Sequence, residues 1–158
     1  MEAALHPDVE QLAFLLGTWQ GEGEGDFPSI APFRFGEETR FWHVGDTYVL
    51  YSQSTWNLED GSPIHAEMGF WRPQPDGHVD VSLAYPLGVS EIAEGHVVGT
   101  SVRVASRTIA IAGAGSEVNR LERSIDVDGD TLSYELLMET GDVPLTRHIW
   151  GRLKRAGD

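Results

Sequence analysis

The chain has no cysteine among its 158 residues. That single absence removes disulfide frameworks, thiolate zinc sites, iron–sulfur clusters, thiolate-ligated haem and cysteine nucleophiles. Any metal must be held by His, Asp, Glu or Tyr. Lysine is nearly absent too: Lys154 is the one lysine among eleven basic residues, against 25 acidic ones, for a formal net charge of −14. Such a balance repels phosphate backbones and anionic membrane surfaces, so nucleic acid and membranes are not expected partners. Long apolar runs are also missing. The stretch Leu12 to Leu16 is too short to span a bilayer, and the N-terminus lacks the basic-then-apolar pattern of a signal peptide, which leads to the expectation of a cytoplasmic protein. What is present is a globular composition with five tryptophans, suited to a packed or cavity-lined interior. The length fits one domain over 1–158, in which folding removes roughly 70% of the unfolded surface from water.

Only the opening segment has helical spacing. His6, Pro7 and Asp8 precede Val9, Leu12, Ala13 and Leu16, and Gly17 ends the run. From there the period is two. Val79, Val81, Leu83 and Tyr85 alternate with polar or small residues, as do Leu132, Tyr134, Leu136 and Met138. Turn signals at Gly45-Asp46, Asp60-Gly61, Asp76-Gly77, Gly95, Gly113 to Gly115 and Asp128-Gly129 separate these runs. Gly69 and Gly88 read as bulges or bends inside strands. About ten strands result, an all-β antiparallel meander that eliminates its edges by closing into a barrel with a short N-terminal helix. A barrel of that size has room for a ligand.

The most specific string is Gly17-Thr18-Trp19-Gln20-Gly21-Glu22-Gly23, a GxWxGxG motif on the first strand. Its indole suits the closure of one barrel end, and Gly17, Gly21 and Gly23 suit bending and close strand approach. Taken with Leu15-Leu16, Phe27-Pro28-Ser29-Ile30, Pro32-Phe33, His43-Val44-Gly45, Ile64 to Phe70 followed by Arg72-Pro73, and the closing Pro144-Leu145-Thr146-Arg147-His148-Ile149-Trp150, it resembles the nitrobindin family over nearly the whole chain. That family is similar to the fatty-acid-binding proteins. In place of their helical lid, the short segment from Asp26 to Pro32 is expected to join the first two strands.

The resemblance implies one b-type haem at the barrel mouth, with His148 as axial ligand to the iron and Ser29 and His65 beside the cofactor. Strand alternation by itself puts Thr146, His148, Trp150 and Arg152 on one face and Leu145, Arg147, Ile149 and Leu153 on the other, and leaves open which face is interior. Some relatives carry a basic residue where this chain has Ser116, so a charge contact to the haem propionates is not expected there. Arg120, Arg123 and Arg152 are the remaining candidates, each with solvation or a carboxylate such as Glu122 as the plainer alternative.

Other motifs fall away. His65-Ala66-Glu67 mimics half of a deaminase zinc site but has no cysteines to complete it. Gly21 to Gly25 lacks the lysine and helix of a phosphate loop and reads as a bend. Asp128-Gly129-Asp130 lacks the twelve-residue spacing of a calcium loop. No histidine pair has helical metal-binding spacing, and the histidines fall on different strands. The resemblance therefore implies an enzyme that isomerises peroxynitrite to nitrate and binds nitric oxide. A non-enzymatic haem sensor of nitric oxide or peroxynitrite and a carrier of an apolar ligand are the alternatives, and a homodimer is possible through strand edges or barrel ends.

Overall fold

The computed structural model describes residues 2–157. A 3₁₀ helix over Pro7–Leu15 leads into ten strands: β1 (Gly17–Phe27), β2 (Ile30–Trp42), β3 (Val49–Asn57), β4 (Pro63–Pro73), β5 (His78–Tyr85), β6 (Val89–Val98), β7 (Ser101–Ile111), β8 (Arg120–Asp128), β9 (Thr131–Glu139) and β10 (Thr146–Arg155). Neighbours along the chain pair antiparallel, and β1 pairs with both β2 and β10, closing the barrel. The expected ten-stranded barrel with a short N-terminal helix is thus observed. Each strand has a neighbour on both sides, although β7 pairs with β8 only over residues 101–105, so residues 107–111 of β7 keep an open side toward β8. No helix among the described residues is long and apolar enough to cross a membrane.

The opening helix is 3₁₀ because its buried side chains, Val9, Leu12 and Leu15, repeat every three residues, the period at which 3₁₀ side chains align. Ala13 is exposed and Leu16 already extended, so the expected set with Ala13 and Leu16 is corrected to one ending at Leu15. Trp19 is fully buried beneath this helix; its Nε1 donates to the Leu15 carbonyl at 2.8 Å. Arg155 stacks over the indole at 4.1 Å and donates to the Leu16 carbonyl. Helix, indole and guanidinium together plug one end.

An up-and-down meander places all its odd-to-even connections at one end and all its even-to-odd connections at the other. The helix plugs the second end. The first end is therefore the mouth, rimmed by the β1–β2, β3–β4, β5–β6, β7–β8 and β9–β10 connections.

Several local expectations change. Gly95 lies inside β6, paired with Val79 and Val104, where a Cβ would meet the Arg103 carbonyl; Gly88, at φ +73°, belongs to the β5–β6 turn. Gly21 to Gly25 is continuous strand rather than a bend. A Cβ on Gly23 or Gly25 would collide with the rings of Phe35 and Phe33, so these glycines clear space for the aromatic wall of the interior. The link between β1 and β2 is only Pro28-Ser29, shorter than the expected Asp26 to Pro32.

Candidate functional site

Inward-facing residues form three levels, because each two-residue step along a strand moves about 6.6 Å deeper. Nearest the mouth are Phe33 and Phe35 of β2, Leu121 of β8, Leu136 and Met138 of β9 and Ile149 of β10. Two residues deeper come Glu37, Glu67, Arg123 and Tyr134. Phe41, Trp71, Leu132 and Leu153 follow, packed against the plug. The first two levels enclose a cavity of about 400 Å³, within the range of small-molecule sites. Ile30, Ile64 and Leu87 line it as well and are exposed at the rim.

His148 reaches this cavity through an irregularity. Its neighbours Arg147 and Ile149 pair with the adjacent residues Leu137 and Leu136 of β9, so His148 is the extra residue of a β-bulge. Without the bulge, the interior parity of Ile149 and Leu153 would turn His148 outward and Arg147 inward. With it, His148 lines the cavity beside Ile149, and Arg147 lies outside, stacked over Trp150 at 3.8 Å and paired with Glu135 at 3.0 Å. The turn end of β1 holds the imidazole. His148 Nδ1 lies 3.0 Å from the Asp26 carbonyl, and the Phe27 ring packs on it edge-on at 5.1 Å. A carbonyl only accepts, so this contact places the proton on Nδ1 and leaves the Nε2 lone pair free. Burial lowers the His148 pKa below its ordinary value, favouring the neutral, ligating form.

His65, on β4 nearly across the barrel, lines the same cavity. Its Nε2 lies 3.4 Å from Glu67 Oε1, and its ring packs on Tyr85 at 5.9 Å. Ser29 is exposed in the β1–β2 turn, between the cavity-facing Ile30 and the buried Phe27, and does not itself line the cavity. Gly17, Trp19, Gly21 and Gly23 shape the wall and plug. Arg120 pairs with Glu122 at 2.7 Å, and Arg152 is exposed. Of the three candidate arginines, only Arg123 faces the cavity, and it is tied at depth.

That depth holds a polar belt which the sequence reading missed. Arg123 Nη2 donates to Glu67 Oε2 at 3.0 Å and to the Tyr85 hydroxyl at 3.3 Å; Tyr85 in turn donates to Glu91 at 2.7 Å. Glu37 accepts from Tyr134 and, at 2.7 Å, from Thr39. Burial raises the Glu37 and Glu91 pKa values. Burial acts the same way on Glu67, but Arg123 and His65 outweigh it and hold that carboxyl below its ordinary value. A signal was available: Glu37 shares the parity of Phe35 and Phe41, and Arg123 that of Leu121 and Ile125, so each is a charge at a core position.

The donor set therefore comprises one neutral imidazole with a free Nε2, a second histidine across the opening, apolar walls and an open rim. It suits a flat, largely apolar group carrying a metal that accepts a nitrogen ligand. Among the described residues, no group of three or more His, Asp or Glu is arranged to hold a bare metal ion.

Residues 8–155 match the family model described as a THAP4-like, heme-binding beta-barrel domain. The chain is 42% identical to peroxynitrite isomerase 2 of Mycobacterium marinum over 161 residues, covering 98% of this chain and 99% of the relative. It is 41% identical to the peroxynitrite isomerase of Nocardia farcinica, covering 96% and 93%. The crystal structure of Rv2717c from M. tuberculosis superposes with a TM-score of 0.91 at 38% identity, over 98% of this chain and all of that one. The family model and these relatives, matched over nearly the whole chain, show that the chain belongs to the THAP4-like, heme-binding beta-barrel domains, the nitrobindin family.

Proposed function

We propose that this protein converts peroxynitrite to nitrate and that His148 would hold one haem b at the barrel mouth. The carrying observation is the β10 bulge, which turns His148 onto the cavity with Nδ1 tied to the Asp26 carbonyl and Nε2 free. A haem bound there would supply Lewis-acidic, redox-active iron chemistry toward peroxynitrite. The chain's own work is positional. His148 binds, Phe27 and the Asp26 carbonyl orient its ring, and Phe33, Phe35, Leu121 and Ile149 exclude water. His65 faces the same space from across the barrel, and Ser29 contributes from the rim. Isomerisation needs no net proton transfer, so no side chain of the cavity is required to act as acid or base. A haem held by His148 would also offer an iron to nitric oxide.

The test is a hemin titration of wild type and His148→Ala, followed by peroxynitrite decay and nitrate yield. A stoichiometric Soret band that weakens or shifts in the variant, with faster nitrate formation by the wild type, is expected. Binding without turnover would instead make the protein a sensor of nitric oxide or peroxynitrite, and no specific binding would leave an apolar-ligand carrier.

We also propose a homodimer, formed through the outer wall rather than an edge. A groove there, formed by β2 to β7, is walled by Trp42, Leu50, Met68, Phe70, Ala84 and Ile92, with Met68 61% and Phe70 49% exposed. None of its outward-facing residues is charged. On a chain of net charge −14, this is where a second copy meets no like charge. Sedimentation is expected to give twice the chain mass for wild type and the single mass for Phe70→Glu; a monomeric wild type at tens of micromolar would refute it.

A further inference from the structure

Histidines that lie far apart in sequence also meet on the outside of the barrel. His78 opens β5, His96 stands near the end of β6, and the two are direct cross-strand partners. Val79 and Val81 on β5 and Ala93 on β6 face the core, so alternation turns both imidazoles outward. Their ring centres are 5.5 Å apart, with the planes at 80°. We propose that His78 and His96 form a surface site for one borderline divalent transition-metal ion, Zn²⁺, Ni²⁺ or Cu²⁺.

Distance supports a shared ion. Two imidazoles bound at ordinary zinc–nitrogen lengths to a tetrahedral ion have ring centres about 5 Å apart, so a small side-chain rotation closes the gap. Imidazole nitrogen suits these metals, whereas magnesium and calcium prefer oxygen. Charge does not oppose it. The next rung of the hairpin pairs Asp80 with Glu94, and each carboxylate is matched by an arginine, Arg72 with Asp80 at 2.8 Å and Arg107 with Glu94 at 3.4 Å. Arg103, the partner of His96 on β7, is itself paired with Asp126 at 3.0 Å. No third His, Asp or Glu among the described residues joins the pair in a ligating group, so water fills the remaining positions. The ion staples the plugged-end termini of the β5–β6 hairpin, on the outer wall and at the opposite end from the mouth. Because it binds folded protein preferentially, it raises thermal stability.

The test uses chelator-washed, untagged, haem-free protein. Calorimetric titration with zinc chloride is expected to show one ion per chain at micromolar affinity. His78→Ala and His96→Ala are each expected to weaken binding at least tenfold and to abolish a zinc-dependent rise in melting temperature, while the control His43→Ala, a half-buried histidine between β2 and β3, changes neither. The Cu²⁺ complex is expected to show two-nitrogen ligation by electron paramagnetic resonance in wild type and one in either variant. No binding below millimolar zinc, or binding that depends on only one or neither histidine, would overturn the shared site. Haem loading plays no part in this readout.

Discussion

Replacing Arg123 by Met tests the polar belt most directly. Its guanidinium lies 3.0 Å from Glu67, with 7% and 4% of the two side chains exposed. At an effective dielectric of about 20 the attraction at that distance is roughly 5 kcal/mol, much of it offset by desolvation of both ions. The pair's net worth is therefore small, whereas orphaning one member is costly. Arg123→Met leaves Glu67 buried beside Tyr85 and Glu91 and is expected to cost about 3–5 kcal/mol at pH 7, a large part of a typical domain's stability. Glu67→Leu with Arg123→Met removes both charges and is expected to fall within about 1 kcal/mol of wild type. The sign with pH follows from protonation. In wild type the folded Glu67 pKa is depressed, so its contribution is present above the unfolded carboxyl pKa and lost as pH falls through the folded value. In Arg123→Met the strongest hold on the carboxylate is gone and only His65 and Tyr51 remain beside it, so Glu67 takes up a proton more readily and the penalty shrinks toward pH 4. Urea denaturation followed by tryptophan fluorescence at pH 7 and pH 4.5 measures wild type, Arg123→Met, Glu67→Leu and the double variant. A single-variant cost below about 1 kcal/mol, or a double variant as unstable as the sum of the singles, would refute the reasoning.

Phe27→Ala removes an edge-on aromatic contact with His148 worth about 0.5–1.5 kcal/mol; hemin affinity is expected to fall roughly two- to tenfold while the Soret position is kept. Glu37→Gln probes the opposite protonation sign. Burial raises the folded Glu37 pKa, so its contribution is present below the unfolded carboxyl pKa and lost as pH rises through the folded value. The variant is expected to melt higher relative to wild type at pH 8 than at pH 4, and an equal difference at both would contradict this. Gly23→Ala drives a methyl into the Phe35 ring and is expected to cost about 1–3 kcal/mol, read as a lowered urea midpoint.

The barrel was legible because its signals are local. Alternation in Val79 to Tyr85 and in Leu132 to Met138, together with Asp-Gly turn chemistry, depends only on neighbours in the chain, and those strands stand where they were expected. Glycine was the weak point, since it serves two purposes that look alike in sequence. Gly88 takes a left-handed turn conformation, while Gly95 makes room for a neighbouring strand's carbonyl. Which purpose applies depends on the facing strand, and that is fixed only by the closed register.

The site divides the same way. His65 and the belt charges Glu37 and Arg123 keep strict strand parity with buried neighbours, so their inward direction was readable, had parity been applied to charged residues too. His148 was not readable by that route. On the plug side of the bulge, Gly151 and Leu153 follow one parity; on the mouth side, His148 and Arg147 follow the other, and the switch exists only because two residues of β10 span one step of β9. A one-residue slip exchanges the two faces of a strand, so this single irregularity both delivers an imidazole to the cavity and removes a guanidinium from it. The family resemblance pointed to His148 while alternation left its face open, and the bulge is the physical reason the two did not have to agree.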